Sequence, residues 1–472
     1  MTEFRIERDF LGEKEVPQEV YYGIQTIRAK ENFPITGYPP HPELIKAVGY
    51  VKKAAAMANR DVGVLPKKLA NAIIQAADEV IDGKFNDQFI VDAIQGGAGT
   101  SFNMNANEVI ANRAIELLGG KKGDYTMVSP NTHVNMAQST NDAFPTSIHI
   151  ASLYLAKRLT TSLSKLLQAL EEKEKEFDDV LKMGRTHLQD AVPIRLGQEF
   201  GAYRRVLQRD LKRIERALKE LYSINMGATA VGTGLNAKPE YIDKVAEYLR
   251  ELTKLPLKKA EDFVDATQNT DAYTELSSAL KVHAINLSKI ANDLRLMSSG
   301  PRTGLNEINL PARQPGSSIM PGKVNPVMCE VMNQISFQVI GNDQTISLAS
   351  EAGQFELNVM EPVLVFNLLQ SLSILANGLD VFRELAIKGI TANVARSREL
   401  VENSVGIITA INPHVGYEQA ARIAKEAIDT GRSVREICLE RGILTKEELD
   451  EILDPKEMTN PGIAGARFIY GE

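Results

Sequence analysis

The sequence predicts an all-α protein organised as a bundle of long helices, and three observations carry that reading. Ile148 to Lys182 contains no proline, and Leu159, Leu163, Leu166 and Leu170 recur in it at alternating 4,3 spacing. That is a coiled-coil-like seam on a helix of roughly 30 residues, or roughly 45 Å. Asp271 to Ser298 repeats the pattern with Leu276, Leu280, His283, Leu287, Ile290, Leu294 and Met297. Pro193 to Ser223, Val327 to Ala352 and Phe355 to Lys388 are three further long runs, the last expected to kink at Pro362. Five such helices with one seam each imply a bundle. Helices this long, with stripes broader than one seam, usually bury a second face against another subunit.

The segment before the bundle, 1–140, reads as a small, mostly helical N-terminal domain. Helical spacing runs over Glu43 to Ala58 and Lys67 to Ile81, between turn-rich stretches such as Asn32 to Gly37. Gln95-Gly96-Gly97-Ala98-Gly99-Thr100-Ser101 then feeds a helix over Asn103 to Leu118. A glycine-rich turn at a helix start exposes backbone N–H groups that favour anions, although this spacing is neither a P-loop nor a dinucleotide fingerprint. The alternative is a plain turn with Thr100 or Ser101 as N-cap. Gln138-Ser139-Thr140-Asn141-Asp142 repeats the theme, a capping cluster or a polar site, with Pro145 placed near the first turn of the next helix. The bundle domain spans 141–390. Past Gly389 the helices shorten into a small C-terminal domain, 391–472, with a turn at Ile411 to Gly416 and helices over Tyr417 to Asp429 and Thr445 to Leu453.

Composition narrows the function. The 472 residues are 43% hydrophobic and 24% charged, the balance of a soluble globular protein with ample chain for a large core. A net charge of −7, with basic residues always interspersed with acids, argues against nucleic-acid binding. The charged N-terminus predicts no secretory signal, no apolar run approaches the ~20 residues of a membrane span, and Cys329 and Cys438 make no disulfide framework. A reducing cytoplasm fits these features. The six histidines show no metal-ligand spacing, so no catalytic metal is expected, which leaves a loosely bound activating cation open; no cofactor is expected.

Two stretches outside the helices carry chemistry. From Gly300 to Pro326, prolines at 301, 311, 315, 321 and 326 and glycines at 300, 304, 316 and 322 forbid a continuous helix. Long irregular segments inside compact domains tend to be functional, and this one brings Ser317, Ser318, Lys323 and Asn325 together as a candidate active-site lid. Gly184-Arg185-Thr186-His187-Leu188-Gln189-Asp190 lies at the boundary between the first two bundle helices, and its polar neighbours suit His187 to anion binding or proton handling. No G-x-S-x-G elbow occurs, and the loop holds no base for Ser317. If Ser317 reacts, it acts as a base, which demands loop N–H groups and a nearby cation to stabilise its alkoxide.

Gly-Ser-Ser-Ile-Met-Pro-Gly-Lys-Val-Asn-Pro at 316–326 resembles the signature loop of the aspartase/fumarase superfamily. Gly97 to Thr100, Gln138 to Asn141 and Gly184 to Asp190 match the same pattern, so the likeness covers nearly the whole chain. It implies a central five-helix bundle, four copies of which form a twenty-helix core, with each active site built from three subunits. Gln138-Ser139-Thr140-Asn141, Tyr21-Tyr22-Gly23 and Glu351 to Asn358 are similar to the aspartase branch. That branch implies elimination of ammonia from L-aspartate to give fumarate. His187 does not separate the branches, since His is usual in fumarases and some aspartases carry Gln there. By the resemblance Ser317 is the base and His187 the second catalytic residue. Thr100, Ser139, Thr140 and Ser318 bind the β-carboxylate, Thr186, Lys323 and Asn325 the α-carboxylate, and Asn141 and His187 the departing amine. The competing readings are fumarate hydratase on the same scaffold and a catalytically inert structural or binding paralogue.

Overall fold

The apolar seams do what their spacing demands. In the computed structural model, which describes residues 3–471, Leu159, Leu163, Leu166 and Leu170 are all buried, as is the whole series from Leu276 to Met297 named above. An apolar stripe this continuous forces each helix to lay its full length against neighbours.

In chain order, an antiparallel hairpin of β1 (Phe4–Asp9) and β2 (Gly12–Pro17) precedes α1 (Ile24–Asn32), α2 (Pro42–Asp61), α3 (Lys67–Ile81) and α4 (Thr100–Leu117). The first long helix is α5 (Thr140–Glu176). A second hairpin, β3 (Leu181–Thr186) and β4 (Gln189–Arg195), leads into α6 (Leu196–Ala217), α7 (Pro239–Thr253), α8 (Phe263–Gln268) and α9 (Asp271–Met297). After the irregular segment come α10 (Val327–Glu351) and α11 (Glu361–Leu385), then the short α12 (Val394–Asn403), α13 (Ile408–Val415), α14 (Tyr417–Thr430), α15 (Val434–Glu440) and α16 (Lys446–Ile452). The all-α bundle class is borne out.

Several boundaries differ from the sequence reading for identifiable reasons. α5 starts at Thr140 rather than near 148, so Pro145 lies inside it. The carbonyl of Asn141, which an N–H at position 145 would have bonded, instead accepts from Asn225 Nδ2 at 2.9 Å. Residues 181–195 form a hairpin instead of helix ends, in keeping with Thr186, Val192 and Ile194 and with Pro193, which a helix interior rejects. Pro362 makes no kink: α11 begins at Glu361, so the proline occupies the first turn. Conversely, Pro413 lies within helix α13, where a turn was expected.

The chain packs as two compact units. Unit 1 comprises Met1–Thr161, Asp210–Ala284 and Ser336–Ala376; unit 2 comprises Ser162–Arg209, Ile285–Ile335 and Asn377–Glu472. Within unit 1, Asp343 of α10 accepts from Ser277 Oγ at 2.8 Å and Lys281 Nζ at 2.6 Å, both on α9, and Asn342 Nδ2 donates to Ser371 Oγ on α11 at 2.9 Å. Within unit 2, Arg204 of α6 bonds Glu174 of α5, Tyr203 of α6 bonds Asp293 of α9, and Asn333 of α10 bonds Ser288 of α9. Buried and partly buried polar pairs of this kind fix the register of helices that apolar contact alone would let slide. Unit 2 also holds a separate small core of Val401, Ile407, Ile411, Ile423, Val434, Ile437, Leu449 and Ile452 from α12–α16 and the turn before α13. Capping boxes at Ser433 and Thr445 start α15 and α16.

The segment Glu361–Gly389 is long and apolar enough to cross a membrane, yet 67% of its most apolar stretch is buried within the protein, as in a core helix. Glu361 at its start is fully enclosed, and burial pushes its carboxyl up to about 8, with Oε2 lacking a partner. The folded state therefore holds a proton that the unfolded chain releases near its ordinary value. This contribution to stability is complete below about pH 4.5 and lost as pH rises toward 8. Thermal melts between about pH 5 and 8 should show a falling midpoint in the native protein and a flatter profile in Glu361→Gln; identical slopes would contradict the assignment.

Candidate active site

The first polar group lies in unit 1, where α4 and α5 begin. Gly97, Ala98 and Gly99 take φ of 95°, 55° and 88°, so the turn runs through the left-handed region and leads directly into α4 at Thr100. Gly99 is obligatory, because a Cβ there would come within 2.3 Å of the Phe144 ring. It is also the N-cap residue, with no side chain capping the helix, and Thr100 is exposed. Neither Thr100 nor Ser101 caps α4. The capping reading does hold at α5, where Ser139 Oγ accepts from Asn141 N at 3.2 Å and Asp142 Oδ1 accepts from Ser139 N at 3.0 Å.

Beneath these turns is a buried network that the sequence reading missed. Lys52 of α2 is wholly enclosed, and its ammonium donates to Asn103 Oδ1 at 2.7 Å, Gln138 Oε1 at 2.9 Å and Asn135 Oδ1 at 3.1 Å. Asn103, one turn along α4 from Thr100, donates in turn to Thr140 Oγ1 at 3.1 Å. Asp142 is equally buried, and its second oxygen accepts from Gly227 N and Thr229 N at 3.1 and 2.9 Å. Burial pushes Lys52 down to about 7, with Asp142 opposing, and pushes Asp142 up to about 6 against its three backbone donors and Lys52. Asn141 Nδ2 donates to Ala230 O at 2.8 Å. Thr140 and Asn141 are thus held in place by the core. The signal available in the sequence was a lysine on the apolar face of α2, between Val48, Val51 and Ala55, a place where an ammonium needs acceptors.

The other two groups lie in unit 2. Thr186 and Gln189 pair at the end of the β3–β4 hairpin, leaving His187 and Leu188 as its two-residue turn, with φ of 54° and 60°. Two successive left-handed residues are what a tight hairpin requires, and Asn-Gly is its comfortable sequence; His-Leu adopts it under strain. The placement of His187 at a helix boundary is therefore corrected: it projects from the exposed tip of a β-hairpin.

The loop at 316–326 is closed by its own bonds. Gly316 N donates to Lys323 O at 2.7 Å, and Asn325 Nδ2 donates to Gly316 O at 2.8 Å. A Cβ on Gly316 would meet Lys323 O and Asn325 N at 2.9 Å, so only glycine fits. Inside the ring, Ser317 Oγ accepts from Ile319 N and Met320 N, each at 3.2 Å. These are the loop N–H groups that a serine alkoxide needs. Ser318 and Lys323 are exposed, and one Asn325 hydrogen is committed to the loop base. No hydrogen bond among the described residues joins Thr186 or His187 to this loop.

Hydroxyls, amides and one lysine are thus displayed in turns at the ends of long helices. The chain belongs to the lyase family, which matches residues 12–341, and residues 407–460 match the family described as fumarase C C-terminus. Among full-length relatives, it is 66% identical over 467 residues to the aspartate ammonia-lyase of Bacillus subtilis (strain 168), covering 99% of this chain and 98% of that one. The aspartate ammonia-lyase of Escherichia coli (strain K12) is 50% identical, with 98% of each chain covered. Of solved structures, a fumarate lyase:delta crystallin from Brucella melitensis bound to cobalt superposes with a TM-score of 0.94 at 48% identity, covering 97% of this chain and 100% of that one. A class II fumarase from Schistosoma mansoni gives 0.92 at 36% identity, with the same coverage.

Leu188 is 69% exposed, so replacing it loses little packing. Leu188→Gly should therefore raise the unfolding free energy by about 1 kcal/mol by removing left-handed strain. Denaturant melts check this, and an unchanged or lowered midpoint would place the strain elsewhere.

Proposed function

We propose that this protein is an aspartate ammonia-lyase, catalysing reversible anti elimination of ammonia from L-aspartate to give fumarate through an enediolate. The observation that carries the mechanism is the Ser317 oxygen held by two backbone donors of its own loop. The Cβ hydrogen of aspartate is barely acidic. Its removal therefore depends on delocalising charge into the β-carboxylate, and the largest catalytic contribution comes from donors aimed at that group. Ser317 takes the hydrogen, the Ile319 and Met320 N–H groups stabilise its alkoxide form, and Lys323 supplies positive charge from the same loop.

Thr100, Ser139, Thr140 and Ser318 receive the β-carboxylate, whose charge grows as the C–H bond breaks. The open turn at Gly97–Gly99 adds the positive end of α4, and the Lys52–Asn103 chain keeps the Thr140 hydroxyl oriented. Thr186, Lys323 and Asn325 hold the α-carboxylate, while Asn141 and His187 contact the amino group as the C–N bond opens. Closure of the loop would exclude water and bring base to substrate.

Four copies assemble, and each site draws on three of them. Two features support this: Thr100, Thr186, His187, Ser318 and Lys323 are all open to solvent in the single chain, and Phe337 and Leu348 on α10 expose 63% and 60% of their surface. Large apolar side chains exposed along a long helix are the mark of an assembly face. Two free cysteines and no disulfide suit a reducing cytoplasm.

The similarity to a class II fumarase favours hydration of fumarate as the second reading. Purified protein incubated with fumarate and ammonium should yield aspartate, and with fumarate alone should yield no malate; the opposite pattern would exchange the two readings. Ser317→Ala should lower kcat by at least ~100-fold with little change in melting temperature, and ordinary turnover would remove Ser317 from the mechanism. Lys323→Ala should chiefly raise KM, and an unaltered KM would contradict its carboxylate role.

A further inference from the structure

The hairpin that presents Thr186 and His187 is anchored on β3 by a buried carboxylate, in addition to the bond from Ser404 Oγ to Asp190 at 2.7 Å on β4. In a regular strand, residues three apart point to opposite faces, so Lys182 and Arg185 of β3 should diverge. They nonetheless converge, beside a shift in the β3–β4 register between Met183 and Arg185. The extra residue lies on β4, where Ala191 and Val192 stand opposite Gly184 alone, and a Cβ on Gly184 would come within 2.5 Å of Val192 O. Both cations turn to Glu307. Arg185 Nη1 donates to its two oxygens at 2.9 and 3.1 Å, and Lys182 Nζ stands 3.8 Å from Oε2 while pairing with Glu199 at 3.0 Å. The Glu307 side chain is fully buried, and those of Lys182 and Arg185 are 6% and 13% exposed.

Glu307 is itself fixed at both ends of its peptide. Its N–H donates to Met297 O at the end of α9, and its carbonyl accepts from Asn393 N, each at 2.8 Å. The next residues, Ile308–Asn309, pair with Thr391–Ala392. The carboxylate is thus a rigid post, and Arg185, the residue immediately before Thr186, is bolted to it. The turn beyond, Thr186 to Gln189, is exposed.

We infer that Glu307 is a positioning residue for the reaction, setting through Arg185 the direction in which Thr186 and His187 meet substrate. The inference rests on the proposed roles of those two residues. The role of Glu307 is to hold Arg185, without contact with substrate. It converts a strained two-residue turn into a platform with one orientation.

The test uses the full-length assembled enzyme with L-aspartate. In Glu307→Gln, amides of 181–195 should exchange with deuterium faster while those of α5 and α9 do not, and KM should rise roughly 10- to 100-fold with a smaller fall in kcat. Glu307→Asp should restore part of both. Because removing one partner leaves buried cations uncompensated, the charge-balanced pair Arg185→Met with Glu307→Met is measured as well; it should fold and show the same loosened hairpin and raised KM. Unchanged exchange of the hairpin in the variants would overturn the inference. Faster exchange with an unaltered KM would also defeat it. Thr186→Ala then says why: if that variant too leaves KM alone, the substrate role of the hairpin has failed rather than the anchor.

Discussion

Every helix end leaves backbone donors or acceptors without partners inside the helix, and long helices concentrate that deficit at a few places. At the start of α5 the deficit is met by a buried side chain, that of Asp142. One oxygen takes the N–H of Ser139, just before α5, and the other takes those of Gly227 and Thr229, so one carboxylate ties the start of the longest helix to a turn far along the chain. Lys52, buried nearby, gathers the side-chain oxygens of Asn103, Asn135 and Gln138. The polar residues of the candidate site stand on this foundation. A helix-rich chain can bury its seams anywhere along its length, but it can display oriented hydroxyls and amides only where its helices stop.

The same logic explains why the site segments are scattered through the sequence. Gly96–Thr100 precedes α4, Ser139–Asn141 opens α5, Thr186–His187 separates α5 from α6, and Ser317–Asn325 precedes α10. Each solves a local termination problem in its own way: a left-handed turn with no side-chain cap, a capping serine backed by an aspartate, a strained hairpin, and a loop closed by an asparagine. None is a complete site by itself, in keeping with a reaction that must grip two carboxylates and an amine at once.

Much of the architecture was legible in advance because seams of 4,3 spacing have few alternatives. Leu159 to Leu170 and Leu276 to Met297 fall in the core as their spacing required, and Lys67–Ile81 matches its expected bounds. Proline was the less dependable guide. Its meaning depends on whether a tertiary partner replaces the missing N–H, as Asn225 does opposite Pro145, and on where the helix begins, as at Pro362. The β3–β4 hairpin was missed because a short two-stranded ribbon leaves little periodicity between two long helices. The loop and the polar turns were visible as motifs. Lys52, Asp142 and Glu307 were not singled out, since the use of a buried charge is defined by partners distant in sequence, and only the folded chain brings those together.

The loop at 316–326 has one more consequence. Its fastenings, Gly316 to Lys323 and Asn325 to Gly316, begin and end within the segment, and so do the two donors on Ser317. Swinging the segment about its ends therefore breaks none of them. On the proposed mechanism the serine would travel as a finished cartridge, already surrounded by its own anion-stabilising dipoles, and what a hinge would have to tune is where it arrives, never how it is made ready.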